Sequence, residues 1–142
     1  INLSRTADLI LIAPASGNFI AKLANGIADD LLTNLCLARS CPLLVAPAMN
    51  VEMFENNATQ RNIETIKVDG ILISGPDLGE QACGDIGPGR LEEPEKIIEF
   101  ITKLSNQRFV LSQQATHSTT SFLITRKQLI NIYVIAQIMN AA

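Results

Sequence analysis

Apolar residues fall into three short unbroken runs, each closed by proline or glycine and each followed by helical spacing. Asp8-Leu9-Ile10-Leu11-Ile12-Ala13 stops at Pro14, Pro42-Leu43-Leu44-Val45-Ala46 stops at Pro47, and Gly70-Ile71-Leu72-Ile73-Ser74 stops at Gly75-Pro76. Runs this short, rich in Ile, Leu and Val with no polar alternation, suit strands buried on both faces of a parallel sheet. After the first, Phe19, Ile20, Leu23, Ile27, Leu31, Leu32 and Leu35 recur at three- and four-residue intervals, which predicts one helical stretch. A second helix is predicted from about Val51, interrupted at Asn56-Asn57, because Asn suits caps better than helix interiors. Pro94 fits the first turn of a third helix, expected to run to about Leu104. Strand, loop and helix repeated three times predict an α/β domain with parallel strands. Beyond Leu104 the pattern weakens: Arg108-Phe109-Val110-Leu111 reads as a strand, and Leu129 to Met139 fits helix or strand.

Composition narrows the class. The 142 residues are 47% hydrophobic and 18% charged with net charge −3. That balance describes one compact domain and argues against a nucleic-acid surface, which needs a clustered basic face. No apolar run reaches the ~18–20 residues of a membrane span. Three cysteines without paired spacing indicate neither a disulfide framework nor a metal site, and a reducing cytoplasm is expected. All 14 acidic residues lie in the first 104 positions, whereas residues 105–142 hold no acid and no glycine. Such a shift marks a boundary, so 1–104 is expected to be the main domain and 105–142 an atypical tail. Because the chain starts at Ile1 just ahead of a strand, it reads as a fragment.

In open parallel sheets the ligand sits at the carboxyl ends of the strands. Here those ends are Pro14–Asn18, Pro47–Asn50 and Gly75–Arg90, and the unusual residues gather in them. Ser16-Gly17-Asn18 is a small turn whose N–H groups could approach an anion or a flavin ring, or simply cap a helix. Asn50, with Met49 and Met53 near it, could hold a substrate carboxylate through a neutral amide, or cap the next helix while the methionines pack. The loop Gln81-Ala82-Cys83-Gly84-Asp85-Ile86-Gly87-Pro88-Gly89-Arg90 offers a thiol in a glycine-rich, lid-like setting, which could also be an incidental surface cysteine. Cys36 and Cys41 read as inert core thiols, and His117 is the single histidine.

Four stretches resemble the flavin-containing cysteine decarboxylases, and in particular those acting on phosphopantothenoylcysteine. They are Ala13-Pro14-Ala15-Ser16-Gly17-Asn18, Ile27-Ala28-Asp29-Asp30-Leu31-Leu32, Ala46-Pro47-Ala48-Met49-Asn50 with Met53-Phe54, and Gly79-Glu80-Gln81-Ala82-Cys83-Gly84-Asp85 through Gly89-Arg90-Leu91. The likeness covers roughly residues 1–104. It implies a three-layer Rossmann-like, flavodoxin-like sheet flanked by helices and lacking its first strands. It also implies FMN-dependent decarboxylation of 4′-phospho-N-pantothenoylcysteine to 4′-phosphopantetheine in coenzyme A biosynthesis. On that pattern Asn50 and Cys83 are catalytic, Ser16, Gly17, Asn18 and Phe19 contact FMN, and Asn50, Met53, Ala82 and Cys83 contact substrate. No metal is implied, and self-association as a trimer or an assembly of trimers is.

Departures accompany the likeness. Phe54 stands where the family commonly has tryptophan. The family's active-site histidine falls just before Ile1, so this fragment alone is expected to be inactive. The tail only faintly echoes the synthetase that bacterial relatives carry fused behind this domain. A regulatory binding protein of the same fold and a peptidyl-cysteine flavin decarboxylase are the competing readings. The pairing of Asn50 with Cys83 favours the first reading over the regulatory one.

Overall fold

The computed structural model describes residues 6–81, 83–115 and 132–135, with side chains as far as 107. Two units divide the chain: residues 1–92 with 130–142, and residues 93–129.

The first unit is built on a four-stranded parallel sheet. Strand β1 (Leu9–Ala15) lies between β2 (Leu43–Pro47) and β6 (Ile132–Ile135), and β3 (Leu72–Ile73) flanks β2, giving the order β3-β2-β1-β6. The register pairs Ile10 with Leu43, Ile12 with Val45 and Leu44 with Leu72. Pairing slips between Ile12 and Ala15, where Pro14 has no N–H for the ladder. The parallel strands read from the sequence are therefore present, with β1 running one residue past Pro14 and β2 ending on Pro47. The ambiguous segment 129–139 contains a strand, β6, paired to β1 from Leu9↔Ile132 to Ile12↔Ile135.

Helices cover the sheet. The stretch expected as one helix is two, α1 (Gly17–Ala24) and α2 (Leu31–Leu37), separated by a turn at Asn25-Gly26. A capping box explains the restart: Asp30 accepts the Thr33 N–H at 2.7 Å, and the Thr33 hydroxyl accepts the Asp30 N–H at 3.1 Å. Local capping overrides the apolar period, and Ile27 and Leu31 are exposed rather than packed. Helices α3 (Val51–Glu55) and α4 (Asn57–Val68) meet at Asn56, as the paired asparagines predict.

The core lies between the sheet and these helices. Ile10, Ile12, Phe19, Ile20, Leu43, Val45 and Ile66 are all buried to 1% exposure or less. Each large apolar side chain so buried contributes about 1.5–3 kcal/mol. Cys36 belongs to the same cluster, and burial pushes its thiol up to about 11.

The glycine-rich loop holds more order than the sequence suggests. It forms an antiparallel hairpin of β4 (Asp77–Glu80) and β5 (Ile86–Arg90). In the second unit, helix α5 (Pro94–Ala115) starts at Pro94 as expected but continues eleven residues beyond Leu104. Residues 108–111 are thus helical, which corrects the strand expected there. No glycine or proline interrupts 95–115, and Leu, Arg, Gln and Ala in that stretch are good helix formers. Its exposed Glu99–Lys103 pair, at 2.8 Å, holds the Glu99 carboxyl below its usual range. His117 and Ala82 lie outside the described residues. Among those residues no helix is long and apolar enough to cross a membrane.

Candidate active site

The three strand-end loops are stitched together by main chain. The Ala48 N–H donates to the Ala15 carbonyl at 3.0 Å, joining the first loop to the second. The Met49 N–H donates to the Gly89 carbonyl at 2.9 Å, joining the second to the hairpin. Gly89 is buried with φ +120, and a Cβ there would overlap the Met49 carbonyl oxygen. Only glycine permits this approach. Gly87 similarly lies against Val51, leaving 2.9 Å between a built Cβ and the valine methyl. At the hairpin's base the buried Ser74 hydroxyl donates to Glu92.

In the first loop Ser16 caps α1, its hydroxyl oxygen accepting the Phe19 N–H at 3.2 Å. Phe19 itself is core: its ring is 1% exposed and its N–H is engaged by the cap. The Gly17 and Asn18 N–H groups occupy the first turn, where no helical carbonyl precedes them, and the Asn18 side chain is exposed. Gly17 borders two methionines, with Met49 Sδ and Met53 Cε 3.5 and 3.7 Å from where its Cβ would stand. Met49 is buried, whereas Met53 is half exposed. An apolar methionine floor beside amide N–H groups that have no acceptor among the described residues is a setting that would suit the edge of a planar flavin ring. Ser16, Gly17 and Asn18 are the residues that would hold it.

The second and third loops meet at one carboxylate. Asn50 caps α3, its Oδ1 accepting the Met53 N–H at 3.2 Å. Its Nδ2 donates to Asp85 Oδ2 at 3.2 Å, 35 residues away in sequence. The Cys83 thiol donates to the same Asp85 Oδ2 at 3.3 Å, with Gln81 Oε1 farther off at 3.8 Å. Cys83 is exposed, unlike Cys36. Gln81 closes the tip: its N–H bonds the Asp85 carbonyl at 2.8 Å and its Nε2 bonds the Pro88 carbonyl at 3.0 Å. Both Asn50 and Cys83, read from the sequence, are therefore brought together. Asp85 and Gln81 were not singled out there, although the Cys-Gly-Asp spacing places a carboxylate two residues from the thiol.

A family model described as Flavoprotein matches residues 1–106. The chain belongs to the Flavoprotein family. A coenzyme A biosynthesis bifunctional protein from Haemophilus influenzae is 47% identical over 108 residues, which is 76% of this chain and 27% of that protein. The chain spans about a quarter of the length of the curated relatives it matches. Among solved structures, a PPC decarboxylase mutant complexed with pantothenoylaminoethenethiol aligns with a TM-score of 0.69 and 37% identity, over 70% of this chain and 56% of that one. The FMN-binding protein AtHal3 aligns at 0.64 and 38% identity, over 71% and 56%. Membership of this family supports a flavin cofactor, and the parallel sheet flanked by helices is the family's Rossmann-like arrangement.

Proposed function

We propose that this chain belongs to an FMN-dependent decarboxylase that converts 4′-phospho-N-pantothenoylcysteine to 4′-phosphopantetheine in coenzyme A biosynthesis, with residues 1–104 as its catalytic part. The observation that carries the reading is the convergence of an amide N–H and a thiol S–H on one carboxylate oxygen. That convergence brings to one place an amide suited to holding the substrate carboxylate and a thiol suited to delivering a proton.

FMN, when bound, supplies the two-electron oxidation of the substrate thiol that makes carboxylate loss possible, and afterwards returns the electrons. The protein's part is orientation and proton delivery. Asn50 holds the substrate carboxylate with a neutral donor. A salt bridge there would stabilise the ground-state charge more than the departing CO₂, and so would raise the barrier. Cys83 gives its proton to the decarboxylated substrate in the reductive step. Ser16, Gly17 and Asn18 hold the flavin edge, Phe19 anchors their turn in the core, and Met53 lies on the substrate side. The reading includes a cytoplasmic homo-oligomer, a trimer or an assembly of trimers. Exposed Ile27, Leu31 and Leu37 offer apolar surface for contact with another copy.

The test is the visible spectrum of the purified intact protein together with CO₂ release from 4′-phosphopantothenoylcysteine. A yellow protein that releases CO₂ is expected. A colourless one, or a yellow one inert towards this substrate, overturns the reading. Light scattering is expected to give a multiple of three subunits; a monodisperse monomer removes the oligomer from the proposal.

A further inference from the structure

Asn50 sits where its amide is constrained at both ends. Oδ1 is committed to the Met53 N–H, which decides which way round the amide lies. One Nδ2 hydrogen is committed to Asp85, and the other has no acceptor among the described residues. A primary amide rotates freely about its last side-chain bond unless both ends are held. The bond to Asp85 is therefore what fixes the plane of the amide and the direction of its remaining N–H. The same oxygen collects the Cys83 S–H, so a single carboxylate sets both groups. Main-chain bonds from Gln81 to Asp85 and from Gly84 to Gln81 hold that carboxylate in the hairpin tip.

We infer that Asp85 is a positioning residue which, through its hydrogen bond to Asn50, aims the unclaimed amide N–H at the substrate carboxylate. This rests on the functional reading above. Asp85 itself donates nothing, and apart from accepting the Cys83 S–H it acts on the substrate only through Asn50. It acts by removing the rotational freedom that Asn50 would otherwise lose on binding substrate.

The experiment uses the intact flavin-loaded protein with Asp85→Ala and Asp85→Asn, each alone and combined with Asn50→Ala. Affinity is measured for 4′-phosphopantothenoylcysteine and for 4′-phosphopantetheine, which has no carboxylate for Asn50 to hold. Losing one orienting charge-assisted bond is expected to weaken carboxylate substrate about tenfold. Product affinity is expected to stay within about twofold, as for the loss of a contact that product does not use. Asp85→Asn retains an acceptor oxygen and is expected to recover most of the difference. On the Asn50→Ala background Asp85→Ala is expected to add nothing, which is the signature of acting through that residue. Equal weakening of substrate and product, or an undiminished effect without Asn50, overturns the proposal. The Asn50 side-chain amide resonance gives an independent readout, expected to shift in Asp85→Ala. Should the wild-type protein leave the substrate untouched, the functional reading falls. The amide resonance then still decides whether Asp85 holds Asn50, and an unshifted signal overturns the pairing.

Discussion

Replacing Gly89 by alanine tests whether the hairpin is fastened to the strand end or merely lies over it. Two costs add. Holding a residue with a side chain at φ +120 costs about 1–3 kcal/mol. The new methyl also collides with the Met49 carbonyl oxygen, so the hairpin must shift and the Met49 N–H···Gly89 bond breaks, losing about 1 kcal/mol more. The sum is about 2–4 kcal/mol if the native arrangement is kept. Gly84 is the control. It has φ +87 and nothing within 4 Å of a built Cβ, so its alanine variant carries only the backbone cost, about 1–2 kcal/mol. Urea unfolding of the two variants measures the difference. If the hairpin detaches locally instead, the loss of global stability is capped and the damage appears as faster hydrogen exchange at the Met49 amide. Gly89→Ala no more destabilising than Gly84→Ala, with Met49 exchange unchanged, would refute the reasoning.

Phe19→Ala removes a ring buried to 1% and is expected to cost about 3–5 kcal/mol in urea unfolding, while a loss below one kcal/mol would mean the cap alone positions the loop. Asp30→Ala breaks the α2 capping box and is expected to cost about 1 kcal/mol at neutral pH. Thr33's backbone N–H, then its hydroxyl, hold the Asp30 carboxyl below its ordinary 3.8, so the charge's contribution is full above that value and lost as pH falls through the lowered one. Wild type and Asp30→Ala should accordingly converge in acid, and parallel pH curves would contradict the assignment. Iodoacetamide at about pH 8 should modify exposed Cys83 well before buried Cys36, whose thiol is pushed up to about 11; mass spectrometry of the peptides reads the order.

The sheet was legible because Leu9–Ile12 and Leu43–Ala46 are continuous apolar runs too short for a buried helix and closed by proline, which suits a doubly covered strand. Asn50 and Cys83 were legible as residue types with chemistry, placed at strand ends. What joins them was not, because the Asn50–Asp85 bond spans 35 residues and depends on a close approach at Gly89 that no periodicity records. The break between α1 and α2 escaped the pattern for a related reason. Apolar spacing continues across Asn25-Gly26, and a four-residue capping signal at Asp30–Thr33 outweighs it. In the same way α5 runs past Leu104 because polar Ser105-Asn106-Gln107 lowers helix propensity without stopping a helix.

The fastening of the hairpin has a consequence for movement. The hairpin is tied at its base by Ser74–Glu92 and along one arm at Gly89–Met49 and Gly87–Val51, whereas Cys83, Gly84 and Asp85 bond to Gln81 within it and, among the described residues, reach outside it through Asn50. Releasing the tip therefore costs one charge-assisted polar contact, about 1.5–3 kcal/mol, and releasing the arms costs several contacts. Opening at the tip would carry the thiol and its carboxylate together, because both bond to Gln81 within the hairpin. The chemistry-bearing end is thus the part of the hairpin that opens at least cost, and the tied base and arm keep the register that returns it to Asn50.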